Sequence, residues 1–174
     1  MTAEELLELR IPDRSVELVR GRLVVSEPPG FEHGVIAMRI GARISAFVTG
    51  HQLGVVVASE TGFTLARDPD TVRAPDIGFV RADRVPEPLP RGYAELVPDL
   101  IVEVLSPGDR PGKVLSKVAD WLEAGARLVW VIDPMRRVAR VYRADGSEAL
   151  KGGGDVLEGE DVLEGFTLAL ADVL

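Results

Sequence analysis

Residues 98–134, PDLIVEVLSPGDRPGKVLSKVADWLEAGARLVWVIDP, decide the fold. Pro98-Asp99 opens an apolar run from Leu100 to Leu105, interrupted by a single acid, Glu103. Ser106-Pro107-Gly108-Asp109 ends it, because proline and glycine punctuate regular structure and serine and aspartate favour turns and caps. From about Pro111 to Glu123, Val114, Leu115, Val118, Trp121 and Leu122 recur on one helical face. Gly125 stops that helix, and Arg127 to Ile132 predicts a second buried strand closed by Asp133-Pro134. Two apolar runs around one amphipathic helix predict a strand-helix-strand crossover with parallel strands.

Glu103 is the informative residue of this stretch. Among Ile101, Val102, Val104 and Leu105, an ionised and unpaired carboxylate would cost several kcal/mol to bury. It must meet a cation, a hydrogen-bond donor or water. An alternating strand with Glu103 on a wet face satisfies the same pattern, so both placements stay open at this point.

Upstream, Thr2 followed by Glu4, Glu5 and Leu6 predicts a short capped helix. Val16 to Val25 predicts a hairpin turning at Arg20-Gly21. Apolar spacing from Glu32 to about Thr49 is helical, and Leu53–Ala58 and Gly62–Ala66 are expected strands. Arg67–Asp70 is a turn-rich loop, and a further strand begins near Ala74 with Asp76 at its first turn. The segment 81–91, with Pro86, Pro88 and Pro90, is expected to be an exposed excursion. Residues 137–143 and 147–151 can pair as a hairpin around Asp145-Gly146. The tail repeats Asp-Val-Leu-Glu-Gly at 155–159 and 161–165, which predicts a turn and strand occurring twice, then a strand or short helix from Phe166. Two five-residue copies are too few for a repeat architecture. Trp121 and Trp130 fall at core spacing and are expected to serve packing; Asp99 and Asp133, each beside a proline, suit turns or caps.

A chain of 174 residues is long enough for one domain with a substantial core, and residues 1–174 are expected to form one. No apolar run approaches the roughly 20 residues needed to cross a bilayer, so no membrane partner is expected. The opening MTAEELLELR is acidic and amphipathic, unlike a secretory signal, and cysteine is absent; a cytoplasmic location is the expectation. Without cysteine, disulfides, thiolate chemistry and Cys-ligated zinc are excluded. A net charge of −8 argues against bulk electrostatic capture of nucleic acid, although a local basic groove or bound metal ions remain compatible with it. No P-loop, dinucleotide fingerprint or nucleophile elbow occurs.

Asp76, Glu103 and Lys117 form the set that can carry chemistry. Two carboxylates on neighbouring strands suit Mg²⁺, which prefers oxygen ligands and keeps several waters. A lysine beside them can orient or deprotonate an attacking water and stabilise charge growing on a phosphate. At 100° per residue Lys117 lies on the margin of the apolar stripe, where it either leans over the sheet or snorkels to solvent.

Pro75-Asp76, the run Pro98 to Pro107 containing Glu103, Lys117 with Trp121 and Gly125, and Val129-Trp130 with Asp133-Pro134 closely resemble the Uma family of putative restriction endonucleases, within the PD-(D/E)XK nuclease superfamily. Val16–Gly21, Pro29 with His33, and Leu163–Phe166 extend the likeness over nearly the whole chain. The resemblance implies a restriction-endonuclease-like α/β fold: a mixed β-sheet flanked by helices, with an N-terminal hairpin and a C-terminal β-hairpin. It implies Asp76, Glu103 and the Val104 backbone carbonyl as ligands of Mg²⁺ or Mn²⁺, with Lys117 in the catalytic lysine role. The superfamily lysine position, two after Glu103, is Leu105 here, so that role passes to the helix, with Lys113 as competitor. Glu17, His33 and Glu60 are possible additions to the site. The implied activity is metal-dependent cleavage of DNA, and a homodimer is expected, since it would present two sites to a duplex. Two other readings stand beside it: a non-catalytic interaction protein that keeps the fold, and a metal-dependent hydrolase of a small phosphorylated metabolite.

Overall fold

The computed structural model describes residues 1–174. The crossover predicted from residues 98–134 is its centre. β7 (Leu100–Val104) leads through α3 (Pro111–Ala124) to β8 (Leu128–Asp133), and the two strands are parallel with Glu103 opposite Val131. Gly125 caps α3 at φ +114°, a left-handed value that costs glycine little.

Around this pair a six-stranded mixed sheet runs β10-β9-β8-β7-β6-β3. β3 is Gly54–Ala58, β6 Ile77–Arg81, β9 Val138–Arg143 and β10 Glu148–Gly152. All its pairings except β7–β8 are antiparallel. Side chains alternate across it. Leu100, Val102, Val104, Leu128, Trp130 and Ile132 join the larger core with Ile36, Ile40 and Ile44 of α2 (Phe31–Gly50) and the C-terminal segment. Ile101, Val129 and Val131 face the other way, onto Val118 and Trp121 of α3. Both faces are covered, which explains the nearly unbroken apolar runs. The expected C-terminal hairpin is β9–β10.

A second sheet, β2-β1-β5-β4, adjoins the α3 side of the first, and Phe63 from it joins the core there. β1 (Ser15–Val19) and β2 (Arg22–Ser26) form the expected N-terminal hairpin, with Arg20 and Gly21 at φ +48° and +74° as a two-residue hairpin turn requires. β5 (Thr71–Arg73) joins β1 to β4 (Phe63–Ala66). α1 (Ala3–Glu8), closed by a Thr2–Glu5 capping box, packs Leu6 against Leu18 and Val72 of this sheet.

The structure adds two features to the sequence reading and changes one expectation. The strands at 54–58 and 63–66 are consecutive in sequence yet belong to different sheets. β5 has no counterpart in the sequence reading, since three residues are too few to show a period. In the tail only the first Asp-Val-Leu-Glu-Gly copy holds a strand, β11 (Val156–Glu158), which pairs with β12 (Thr167–Ala169). The second copy is a turn whose Leu163 is fully buried, so burial took the place of pairing. The excursion at 82–91 is largely exposed, with one 3-10 turn at Ala82–Arg84. No helix is long and apolar enough to cross a membrane.

Candidate metal and catalytic centre

The chain crosses between the two sheets at Ala74-Pro75-Asp76, the link from β5 to β6. In the antiparallel β6–β7 pair Ile77 lies opposite Val102, so Asp76 lies one step out beside Glu103. The seam between the sheets thus gathers groups from β1, β5, β7, α2 and α3 and from the link itself.

Glu103 is buried, with a relative exposure of 8%. It projects to the α3 side, where Lys117 Nζ donates to its Oε2 at 2.9 Å and the Trp121 indole Nε1 donates to its Oε1 at 2.9 Å. Helical spacing puts Lys117 and Trp121, four apart, on one face above the strand. Lys117 also donates to the Ala74 carbonyl at 2.9 Å and lies 3.3 Å from Glu17 Oε1. Lys113, one turn earlier, is exposed and touches no carboxylate. The solvent-facing placement of Glu103 and the snorkelling placement of Lys117 are both set aside by this geometry.

Glu17, on β1, accepts from the Ala74 backbone N–H at 3.0 Å and from Arg73 Nη1 at 2.8 Å. Arg73 is itself buried and donates through Nε to Asp120 of α3 at 3.0 Å. Asp76 Oδ2 accepts from the Val104 backbone N–H at 2.7 Å and lies 3.1 Å from His33 Nε2 at the start of α2. Both side-chain hydrogen bonds of Asp76 fall on Oδ2, which leaves Oδ1 for a ligand. Glu60 is exposed and accepts from Ser15 Oγ, apart from this cluster.

The electrostatics follow from burial and pairing. Burial is the largest influence on Glu103 and pushes its carboxyl up to about 7; Lys117 opposes that, while Asp76 and Glu17 reinforce it. Burial works against the charge on Lys117, yet Glu103, Glu17 and Asp76 together hold its pKa above the ordinary lysine range. Glu17 is likewise opposed by burial but held below the usual carboxylate range by Lys117 and Arg73. The hydrogen bond to Asp76 raises the His33 pKa against a desolvation that lowers it. His33 Nδ1 is buried without a partner, so Nε2 is the nitrogen through which the ring acts.

No three acidic or histidine side chains are gathered into a preformed metal cage. Mg²⁺ does not need one: it is commonly held by one or two carboxylates, with waters and substrate phosphate completing its shell. Asp76, Glu103 and the Val104 carbonyl offer oxygen donors only, in a chain without cysteine, and that donor set fits Mg²⁺ or Mn²⁺.

Arg73, Asp120 and the polar role of Trp121 escaped the sequence reading. Asp120 lies three residues after Lys117 and Arg73 three before Asp76, a proximity that is a weak signal at best. Trp121 sits at core spacing and is indeed fully buried, but packing accounts for its ring and not for its N–H. Asp99 and Asp133 are structural: Asp99 accepts from the Arg81 backbone and pairs with Arg84, and Asp133 caps the turn at Arg136.

A family model described as "Putative restriction endonuclease" (Uma2) matches residues 3–171. No curated protein matches the chain. The crystal structure of a putative nuclease belonging to DUF820 from Anabaena variabilis is similar to it with a TM-score of 0.87 and 21% identity, covering 99% of this chain and 97% of that one. A likeness at that identity speaks for the fold, the mixed sheet and its flanking helices. The family match spans nearly the full length, and the chain therefore belongs to the Uma2 family of putative restriction endonucleases.

Proposed function

We propose that this chain is a metal-dependent endonuclease that hydrolyses phosphodiester bonds in DNA. The observation that carries the reading is Glu103: a buried mid-strand carboxylate, beside Asp76 in the sheet register and 2.9 Å from the Lys117 ammonium. Family membership and a structural neighbour described as a putative nuclease support the substrate class.

Asp76, Glu103 and the Val104 carbonyl would hold Mg²⁺ or Mn²⁺, which when bound supplies Lewis-acid activation of the phosphate and of a water. His33 and the Val104 N–H fix Asp76 through Oδ2, so its other oxygen keeps one orientation. Glu17 and the Ala74 carbonyl tether the Lys117 ammonium at the edge of the carboxylate pair. There it meets the non-bridging oxygens on which negative charge grows in the transition state. Its part there is to donate a hydrogen bond to that growing charge. A homodimer would present two such centres to the two strands, and light scattering measures that state directly.

The test is nicking of supercoiled plasmid DNA in Mg²⁺ or Mn²⁺ by wild type and by Asp76→Ala, Glu103→Ala and Lys117→Ala. Wild type is expected to nick, and each variant to lose about 100-fold or more of the rate. Wild-type protein that neither cuts DNA or RNA nor binds either ion would overturn the reading. It would favour the second one, a binding protein on a nuclease fold, to which one observation already points: both Glu103 oxygens are engaged by protein donors.

A further inference from the structure

We propose that Trp121 is a positioning residue of this centre, and that its indole N–H selects which oxygen of Glu103 is available to a metal ion. The inference rests on the metal-dependent reading above.

The two oxygens of Glu103 are held in unequal ways. Oε1 accepts from Trp121 Nε1 at 2.9 Å, and Trp121 has no exposed surface. Its ring is pinned edge-on to Phe63, with centroids 6.4 Å apart, and packed among Ile101, Val118 and Val129. An indole has no second conformation open to it in such a setting, and an N–H to carboxylate bond is of the strong, charge-assisted kind. Oε2 accepts from Lys117, whose side chain is 23% exposed and shares its protons with Glu17 and the Ala74 carbonyl. An ammonium on a flexible stem can move aside toward those other two acceptors or toward a phosphate. Oε1 is therefore the anchored oxygen and Oε2 the one that can be released.

The rest of α3 supports the same division of labour. Asp120, next to Trp121, holds Arg73, and Arg73 holds Glu17. One helical turn thus fixes both carboxylates that flank Lys117 and leaves the lysine as the movable member. Trp130 supplies the contrast: its indole nitrogen is equally buried and has no partner, so packing alone does not require an indole N–H to find an acceptor here.

Two measurements test this. Trp121→Phe keeps a ring in the core and removes the donor; its Mn²⁺ affinity, read by calorimetry, should fall 10–100-fold, the usual effect of removing a partner that orients a metal ligand. In a Glu103→Ala background, which leaves the indole no side-chain acceptor, the same substitution should have no further effect. The second measurement, on ¹⁵N-labelled protein, follows the two indole N–H resonances and needs no Trp variant to fold. Glu103→Gln and Mg²⁺ addition should each move the Trp121 signal and leave that of Trp130 in place. Unchanged Mn²⁺ affinity in Trp121→Phe, or a Trp121 resonance indifferent to Glu103→Gln, would overturn the proposal. If wild type binds no ion, the metal-dependent reading fails on its own account. A Trp121 signal that still responds to Glu103→Gln would then mark the bond as a fold contact, which also overturns the positioning role.

Discussion

Glu103 is the residue at which fold and chemistry meet. Its carboxyl is pushed up to about 7, chiefly by burial, from an ordinary value of 4.5. Between those values the folded protein keeps a proton that the unfolded chain has released, so stability falls as pH rises through that window and the full penalty is in place above it. Glu103→Gln has no such proton to lose. In metal-free thermal unfolding, its midpoint relative to wild type should therefore climb between about pH 5 and pH 8. Parallel profiles would show that Glu103 does not titrate in that range. Much of this was legible in the chain, because a lone acid inside Ile101–Leu105 has few ways to be tolerated. Trp121 was not legible, since the same spacing that marks it as core hides which atom its N–H meets.

Elements depend on tight backbone passages as much as on apolar pattern. Gly125 closes α3 at φ +114° with open space where a Cβ would lie. Gly54 opens β3 at φ +150°, where a Cβ would come 2.0 Å from the Val80 carbonyl oxygen of β6. Gly125→Ala should cost about 1–2 kcal/mol, the penalty of a left-handed backbone on a residue with a Cβ. Gly54→Ala should cost clearly more in urea unfolding, because the clash is with the backbone of a paired strand. Equal costs would mean that β3 can slide at the sheet edge. α3, β7 and β8 were predicted closely because amphipathic period and a glycine stop are local properties. The separation of β3 from β4 was not, because a strand's own residues specify a pleated face and not the sheet it will join.

At the scale of the molecule, a site shared among five elements and the link between the sheets should couple ligand binding to global stability. An ion that binds only the folded state stabilises it by about 2.7 kcal/mol at 100 times its Kd. For a chain of this length that corresponds to a rise in Tm of roughly 5–10 °C. Mn²⁺ should produce that rise in wild type and not in the Asp76→Ala, Glu103→Ala double variant; an equal rise in both would place the ion elsewhere.

The sequence by itself determined the strand-helix-strand centre, the two hairpins and the positions of Asp76 at a strand start and Glu103 within a core strand, because each rests on local period or turn chemistry. Only the tertiary structure decided that a second sheet carries Glu17 and Arg73 to α3, that Lys117 and not Lys113 touches Glu103, and that Trp121 fixes one of its oxygens. Those contacts join residues 14 to 56 positions apart, and their partners are chosen by the packing of the two sheets across the Ala74–Asp76 seam. No local pattern encodes that choice, since burial and charge pairing are settled only when the sheets meet.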